Sequence, residues 1–99
     1  MQNLKAYQLA VELNQNCSQL GLTGELRQQL ERAVLSIALN LAEGTGRSGK
    51  DRLYHFRIAY GSCCEVKACL TIANHPLFQK ADRLGGMIYK LIQRPGRGP

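Results

Sequence analysis

Apolar residues recur at helical spacing along most of the chain, and glycines separate the apolar stretches. Glycines cluster within residues 21–24, 44–49 and 96–98, and no proline comes before Pro76. A long run without proline and with few β-branched residues is typical of long helices. The pattern predicts four helices, at about residues 3–19, 23–43, 48–74 and 78–93.

Each predicted helix carries an apolar stripe that can face a common core. The stripes are Leu9, Leu13, Cys17 and Leu20 in the first helix, Leu26, Leu30, Val34, Ile37 and Leu41 in the second, Leu53, Phe56, Tyr60, Cys63 and Leu70 in the third, and Leu84, Ile88, Leu91 and Ile92 in the fourth. Short connections make successive helices antiparallel neighbours. We therefore predict an all-α fold, an up-down-up-down antiparallel four-helix bundle. It forms a single domain over residues 1–94, and residues 95–99 are expected to be a flexible tail.

The second helix has apolar residues on two faces, which predicts a homo-oligomer. A helix that is apolar on two faces is buried on two sides, and a chain of 99 residues is too short to cover the second face itself. The alternative is the ordinary scattering of exposed apolar side chains. The residues predicted at the oligomer interface are Leu35, Ala38, Leu39 and Ala42.

The stretch GTGRSGKD, residues 44–51, has the spacing of a phosphate-binding P-loop, except that Asp51 replaces the final Ser or Thr. A P-loop follows a strand, whereas a helical pattern precedes this stretch. We interpret Gly44 and Gly46 as the end of the second helix. Ser48 and Asp51 are interpreted as the N-cap and capping box of the third helix.

Polar residues follow a line at helical spacing between the second and third helices. One interpretation is a catalytic carboxylate pair, Glu43 and Glu65; the other is a structural hydrogen-bonded network that fixes helix register. We favour the structural network, because no nucleophile or matched histidine accompanies the carboxylates. Its predicted members are Ser36, Asn40, Glu43, Arg47, Ser62 and Glu65. Gly61, in the same register, is predicted to permit a close backbone approach.

Candidate metal and cofactor ligands do not form a recognisable set. His55 and His75 lack the glutamate three residues earlier that a di-iron bundle requires. The four cysteines, Cys17, Cys63, Cys64 and Cys69, include no C-x-x-C pair and are interpreted as small buried hydrophobes. The sequence therefore predicts a protein that is not an enzyme, with no catalytic residues, no cofactor and no small-molecule substrate.

The net charge of +6 favours phosphate backbones or acidic proteins as partners. The basic residues form two clusters, Arg47, Lys50, Arg52 and Arg57 beside the second turn, and Lys80, Arg83, Lys90 and Arg94 on one face of the fourth helix. Aromatic residues are scarce and fall mostly on core faces, so a nucleic-acid contact would tolerate many sequences. A solvated charged face is the alternative interpretation. Because neither a signal peptide nor a membrane span is recognisable, we expect a cytoplasmic protein without a membrane partner.

Two motifs in the central helices resemble a known family. They are R-x-x-x-S-I-x-x-N-x-A-E-G-x-G-R, from Arg32 to Arg47, and F-x-I-A-x-G-S-x-x-E, from Phe56 to Glu65. Within Leu26 to Ala73, about half the chain, the sequence resembles the small bundle proteins encoded in intervening sequences of bacterial 23S rRNA genes. The resemblance implies a four-helix bundle that assembles as a homo-oligomeric ring, a pentamer. The residues of this chain that the resemblance singles out, because they match the family's motifs, are Asn40, Glu43, Gly44, Gly46, Arg47, Gly61, Ser62 and Glu65.

More distantly, the chain is similar to the accessory variability determinant proteins of diversity-generating retroelements, which are basic pentamers that bind nucleic acid and a reverse transcriptase. The leading hypothesis is a non-enzymatic homo-oligomer that binds RNA or DNA through phosphate contacts. The alternative is a structural or interaction module that binds a protein partner, such as a reverse transcriptase, and has no direct role with nucleic acid.

Overall fold

Four helices make up the computed structural model, which describes residues 4–93. They are α1 (Lys5–Cys17), α2 (Gly24–Thr45), α3 (Gly49–Ile72) and α4 (Phe78–Ile92), and no strand occurs within the described range. The four predicted helices are confirmed, with ends that differ by no more than two residues. The predicted tail at residues 95–99 lies outside the described residues.

Each helix packs against two others, which closes the bundle. α1 contacts α2 and α4, and α3 contacts the same two helices. The α2–α3 register is antiparallel, because Ser36 meets Ser62 while Asn40, one turn later, meets His55. The α3–α4 register is antiparallel as well, since Tyr60 pairs with Tyr89 and Lys67 pairs with Asp82. The predicted up-down-up-down arrangement therefore holds within the described residues.

The predicted stripes form the core. Leu13, Leu30, Ile37, Leu41, Leu70, Leu84 and Ile88 are fully buried. Burying one such side chain contributes roughly 1.5–3 kcal/mol. Stripe residues near the helix ends, such as Leu20, Leu26 and Leu91, are half-buried. Ala59 and Val66 complete the core on α3, so its buried face is broader than the predicted stripe.

The turn between α2 and α3 differs in detail from the prediction. α2 continues through Gly44 and ends at Thr45, with Gly46 as its C-cap. Gly44 is buried, and a β-carbon there would lie 2.7 Å from the Phe56 ring. Its lack of a side chain thus lets two helices approach closely, and interpreting it as the end of the helix was wrong.

Ser48 occupies the N-cap position of α3, as predicted, with an extended backbone. Its side chain makes no capping hydrogen bond, and the Asp51 carboxylate accepts a hydrogen bond from Arg47 instead. The predicted capping box is therefore wrong. Gly49 follows with φ of +61°, a left-handed conformation that suits glycine. The stretch joins two helices, which agrees with the rejection of a P-loop.

Gly61 does not serve a close helix contact within the chain. It is exposed, and a β-carbon built on it would meet nothing within 4 Å. The predicted backbone approach at Gly61 is therefore wrong for the bundle itself. The close contact occurs instead at Gly44 of α2, which packs against Phe56, the first buried residue of α3.

Three of the four cysteines are buried, and none forms a disulfide. Burial raises the pKa of Cys17 to about 11 and that of Cys63 to about 12. The Cys63 thiol also donates a hydrogen bond to the Ala81 carbonyl at 3.2 Å. Cys69 is buried, but Cys64 is exposed. The interpretation as buried hydrophobes is confirmed for three cysteines and wrong for Cys64.

Among residues 4–93, none of the helices combines the length and the hydrophobicity that crossing a bilayer requires.

Candidate nucleic-acid interface

A polar cluster joins α2 to α3 along one side of their contact. The hydroxyls of Ser36 and Ser62 lie 2.8 Å apart. The Asn40 amide nitrogen donates to the Ser36 carbonyl at 3.0 Å and to its hydroxyl at 3.2 Å. The Asn40 oxygen lies 3.0 Å from His55 Nδ1. Because that oxygen can only accept, His55 donates through Nδ1. We call Ser36, Asn40, His55 and Ser62 the seam cluster.

Glu43 and Arg47 belong to a separate cluster at the α2–α3 turn. Arg47 Nη2 lies 2.5 Å from the Glu43 carboxylate, and Arg47 Nη1 lies 2.7 Å from that of Asp51. The hydrogen bond to Glu43, followed by the one to Asp51, raises the pKa of Arg47. All three side chains are exposed, so the pairs add little stability. They do neutralise Arg47, which makes it a poor ligand for phosphate.

The predicted single network is therefore two clusters, and Glu65 belongs to neither. Glu65 is exposed and makes no hydrogen bond within the described part of the chain. Gly44, the residue after Glu43, packs against His55. Glu65 lies ten residues beyond His55 on α3, which puts it roughly 15 Å further along the axis at about 1.5 Å per residue. The two carboxylates are not brought together, and a catalytic pair is not assembled.

The predicted oligomer interface is partly exposed. The exposed fractions of Leu35 and Leu39 are 48% and 58%. Ala42 is half-buried, whereas Ala38 is buried inside the bundle. Ala38 thus packs in the chain's own core, and the outward apolar surface of α2 consists of Leu35 and Leu39 with part of Ala42.

The antiparallel register gathers the net positive charge of the described residues at one end of the bundle. Lys5 and Met87 line the same groove between α1 and α4, so the start of α1 lies beside the end of α4. The turn between α2 and α3 lies at this end too, because Tyr60 on α3 meets Tyr89 on α4. We call residues 4–10, 36–59 and 86–93 the basic end.

The two ends differ sharply in charge. The basic end holds six basic residues, Lys5, Arg47, Lys50, Arg52, Arg57 and Lys90, and two acidic residues, Glu43 and Asp51. The rest of the described chain, residues 11–35 and 60–85, holds five basic and five acidic residues. We call this part the neutral half. The whole net charge of the described residues, +4, therefore belongs to one end.

The predicted cluster on α4 is divided along the axis. Lys80 donates hydrogen bonds to the Glu12 carboxylate and, at 2.7 Å, to the Asn16 side chain. The hydrogen bond from Lys80 lowers the pKa of Glu12. Lys80 is therefore engaged in holding α4 to α1, and Arg83 lies in the electrically neutral half. Lys90 alone of this cluster is placed at the basic end; Arg94 lies outside the described residues.

A comparison with models of known protein families identifies the family of this chain. The family model of the 23S rRNA-intervening sequence protein matches residues 2–94. The chain belongs to the 23S rRNA-intervening sequence protein family. No curated protein and no solved structure matches it. The family resemblance of the two central helices is thereby confirmed, and it extends over all four helices.

In this intervening-sequence protein, several of the interacting residues are not among those predicted from the sequence. His55 completes the seam cluster, and its position seven residues before Ser62 was a usable signal, since both fall on one face of α3. Glu12 and Asn16 show the same kind of signal, four residues apart on α1. Two exposed aromatic residues, Tyr54 and Tyr89, were also missed, because aromatic residues were assigned mostly to core faces.

Proposed function

We propose that this chain is a non-enzymatic, homo-oligomeric helical bundle that binds RNA or DNA through phosphate contacts at its basic end. The observation that carries the proposal is the charge asymmetry within residues 4–93, with six basic residues against two acidic ones at the basic end and five of each in the rest of that range. Concentrated positive charge attracts a phosphate backbone and releases its counterions on binding.

Four residues of the predicted basic clusters lie at the basic end and are suited to contact phosphate. Lys50, Arg52, Arg57 and Lys90 are exposed and have no carboxylate partner within the described residues. The Arg52 guanidinium lies 5.4 Å from the centre of the Phe56 ring, an arrangement that holds it without neutralising it. Arg47 and Lys80 are already paired, so they are weaker candidates than the sequence indicated.

The test is fluorescence anisotropy with labelled random RNA, single-stranded DNA and duplex DNA, titrated with salt. We expect affinity that falls linearly on a log–log plot as salt rises, with similar values for unrelated sequences. Arg57→Glu should weaken binding to all of them and reduce the duplex slope by about 0.9 for the lost contact. Arg32→Glu is the matched control, because it makes the same charge change on an exposed helical position of the neutral half. Equal loss in both variants, or no binding by the wild type at low salt, would refute the proposal.

The homo-oligomer is supported by the outward leucines of α2. Exposed fractions of 48% and 58% at Leu35 and Leu39 leave an apolar surface that another copy can cover. The pentameric ring size comes from the family resemblance. Replacing both leucines with Asp should reduce the mass measured by light scattering to that of a smaller species. An unchanged mass would show that this face is not the interface.

A second candidate is an interaction module that binds a protein partner, such as a reverse transcriptase. The same exposed leucines favour it, because an apolar surface also suits a different protein. This function predicts that partner binding survives charge reversal at Lys50, Arg52 and Arg57. Loss of partner binding in those variants would exclude it.

A further inference from the structure

The exposed aromatic rings of the described chain lie at the basic end. Tyr54 is 59% exposed and Tyr89 is 48% exposed. Among the other aromatic side chains, Phe56 is buried and Tyr60 is half-buried. Single exposed aromatic residues are common, but these two lie at the end of the bundle that holds the net positive charge of the described residues.

Their register places them in line with two of the unpaired cations. Lys50, Tyr54 and Arg57 follow one another at intervals of four and three residues, so they fall on one face of α3. The next turn of α3 carries Tyr60, whose ring centre lies 5.9 Å from that of Tyr89. Along α3 the order is therefore cation, ring, cation, each about one helical turn after the last, and the Tyr60–Tyr89 pair follows at the border between α3 and α4. We call Lys50, Tyr54, Arg57 and Tyr89 the aromatic strip.

The rings are held in position by their neighbours. Tyr54 packs edge-on against His55, with ring centres 5.3 Å apart and an interplanar angle of 76°. The Tyr89 hydroxyl accepts a hydrogen bond from the Gln93 side chain at 2.9 Å. Both rings nevertheless keep about half or more of their surface free, so a flat group can stack on each of them.

We propose that the aromatic strip binds single-stranded nucleic acid, with unpaired bases stacked on Tyr54 and Tyr89 and phosphates bound by Lys50 and Arg57. This inference rests on the proposed function and deepens it by naming the class of nucleic acid that is bound. Alternating cations and rings bind a single strand because its bases expose their faces. The bases of a duplex are stacked on one another, so a duplex can use the cations but not the rings.

The test compares three labelled probes by anisotropy: an oligothymidylate, a strand of the same length with abasic sites, and a duplex. The variants are the double substitution of Tyr54 and Tyr89 with Ala and, as the matched control, the double substitution with Phe, which keeps both rings. The Ala variant should bind oligothymidylate at least about 25-fold more weakly, since each of the two lost base stacks costs about fivefold or more. The affinity of the Ala variant for the abasic strand and for the duplex should stay within about twofold of the wild-type value. The Phe variant should stay within about twofold of the wild type for all three probes.

A second readout reports the rings directly. The chain has no tryptophan and four tyrosines, so its intrinsic fluorescence comes from tyrosine. Oligothymidylate should quench it in the wild type, and the quenching should be smaller with the abasic strand.

Three results would overturn the inference. Equal weakening for the oligothymidylate and the abasic strand would mean that the rings do not stack on bases. Unchanged oligothymidylate binding in the Ala variant would mean that they do not contact the strand. A changed oligomeric mass in the Ala variant would mean that the tyrosines belong to an interface between copies. If the wild type binds all probes by charge alone, this inference fails and the proposed function stands; if it binds none, both fail.

Discussion

Two glycines inside helices should respond in opposite ways to the same substitution. A β-carbon at Gly44 would lie 2.7 Å and 2.8 Å from two carbons of the Phe56 ring and 3.2 Å from the β-carbon of His55. A β-carbon at Gly61 would meet nothing within 4 Å. Gly44→Ala should therefore destabilise the bundle, and Gly61→Ala should stabilise it.

The magnitude follows from two opposing contributions. Replacing glycine with alanine inside a helix stabilises it by about 1 kcal/mol. Carbon atoms pack best at about 3.5–4.0 Å, so the Phe56 ring must move by nearly 1 Å in Gly44→Ala. Phe56 is only 3% exposed, and relieving such overpacking costs about 1–3 kcal/mol. The expected net changes are about 1 kcal/mol of destabilisation for Gly44→Ala and up to about 1 kcal/mol of stabilisation for Gly61→Ala.

The assay is urea and thermal unfolding followed by circular dichroism at one fixed protein concentration, because oligomerisation makes apparent stability depend on concentration. For a domain of this size, 1 kcal/mol corresponds to a shift in Tm of about 4–8 °C. Gly86→Ala is a second control, since Gly86 lies in α4 with nothing within 4 Å of a β-carbon. The reasoning is refuted if Gly44→Ala and Gly61→Ala change the free energy of unfolding equally and in the same direction.

Two further predictions concern ionisable groups. Under native conditions iodoacetamide should modify Cys64, which is exposed, much faster than Cys63, whose pKa burial raises to about 12; mass spectrometry of the peptides checks this, and equal labelling would contradict it. Lys80→Met should raise the pKa of Glu12 toward its ordinary value of 4.5, which an NMR titration of the Glu12 carboxyl measures. Folding lowers the pKa of Glu12. The Glu12–Lys80 pair therefore contributes its full stability above the pKa that Glu12 has in the unfolded chain, and this contribution is lost as pH falls through the pKa of Glu12 in the folded protein. The Lys80→Met variant should therefore lose less stability than the wild type on acidification, and an unchanged Glu12 pKa would exclude this pairing in solution.

The helices and the core could be predicted because they depend on periodicity. Leu30, Ile37 and Leu41 recur at helical spacing, and the structure buries each of them fully. Because the turns are short, each helix must pack antiparallel beside the next one, which leaves the up-down-up-down bundle. The serine and asparagine of the seam cluster were also predictable, since a polar residue beside an apolar stripe needs a hydrogen-bonding partner.

The partners themselves were less predictable, because they depend on the register between helices. Sequence spacing places Lys80 on the same face of α4 as Lys90, but it does not place Glu12 beneath the Lys80 ammonium group. Similarly, nothing local distinguishes Gly44 from Gly61. Which glycine meets an aromatic ring is decided by the neighbouring helix, and only the packed bundle contains that information.

The charge arrangement also gives the molecule an electric dipole along its long axis. The antiparallel helices largely cancel one another's backbone dipoles, so the side chains set its direction. In a ring with only cyclic symmetry the axial components of all copies point the same way and add. In a head-to-head dihedral assembly they cancel. A cyclic assembly would therefore present one positively charged side and one neutral side, and a polyanion arriving within a Debye length of about 8–10 Å would be attracted to only one of them.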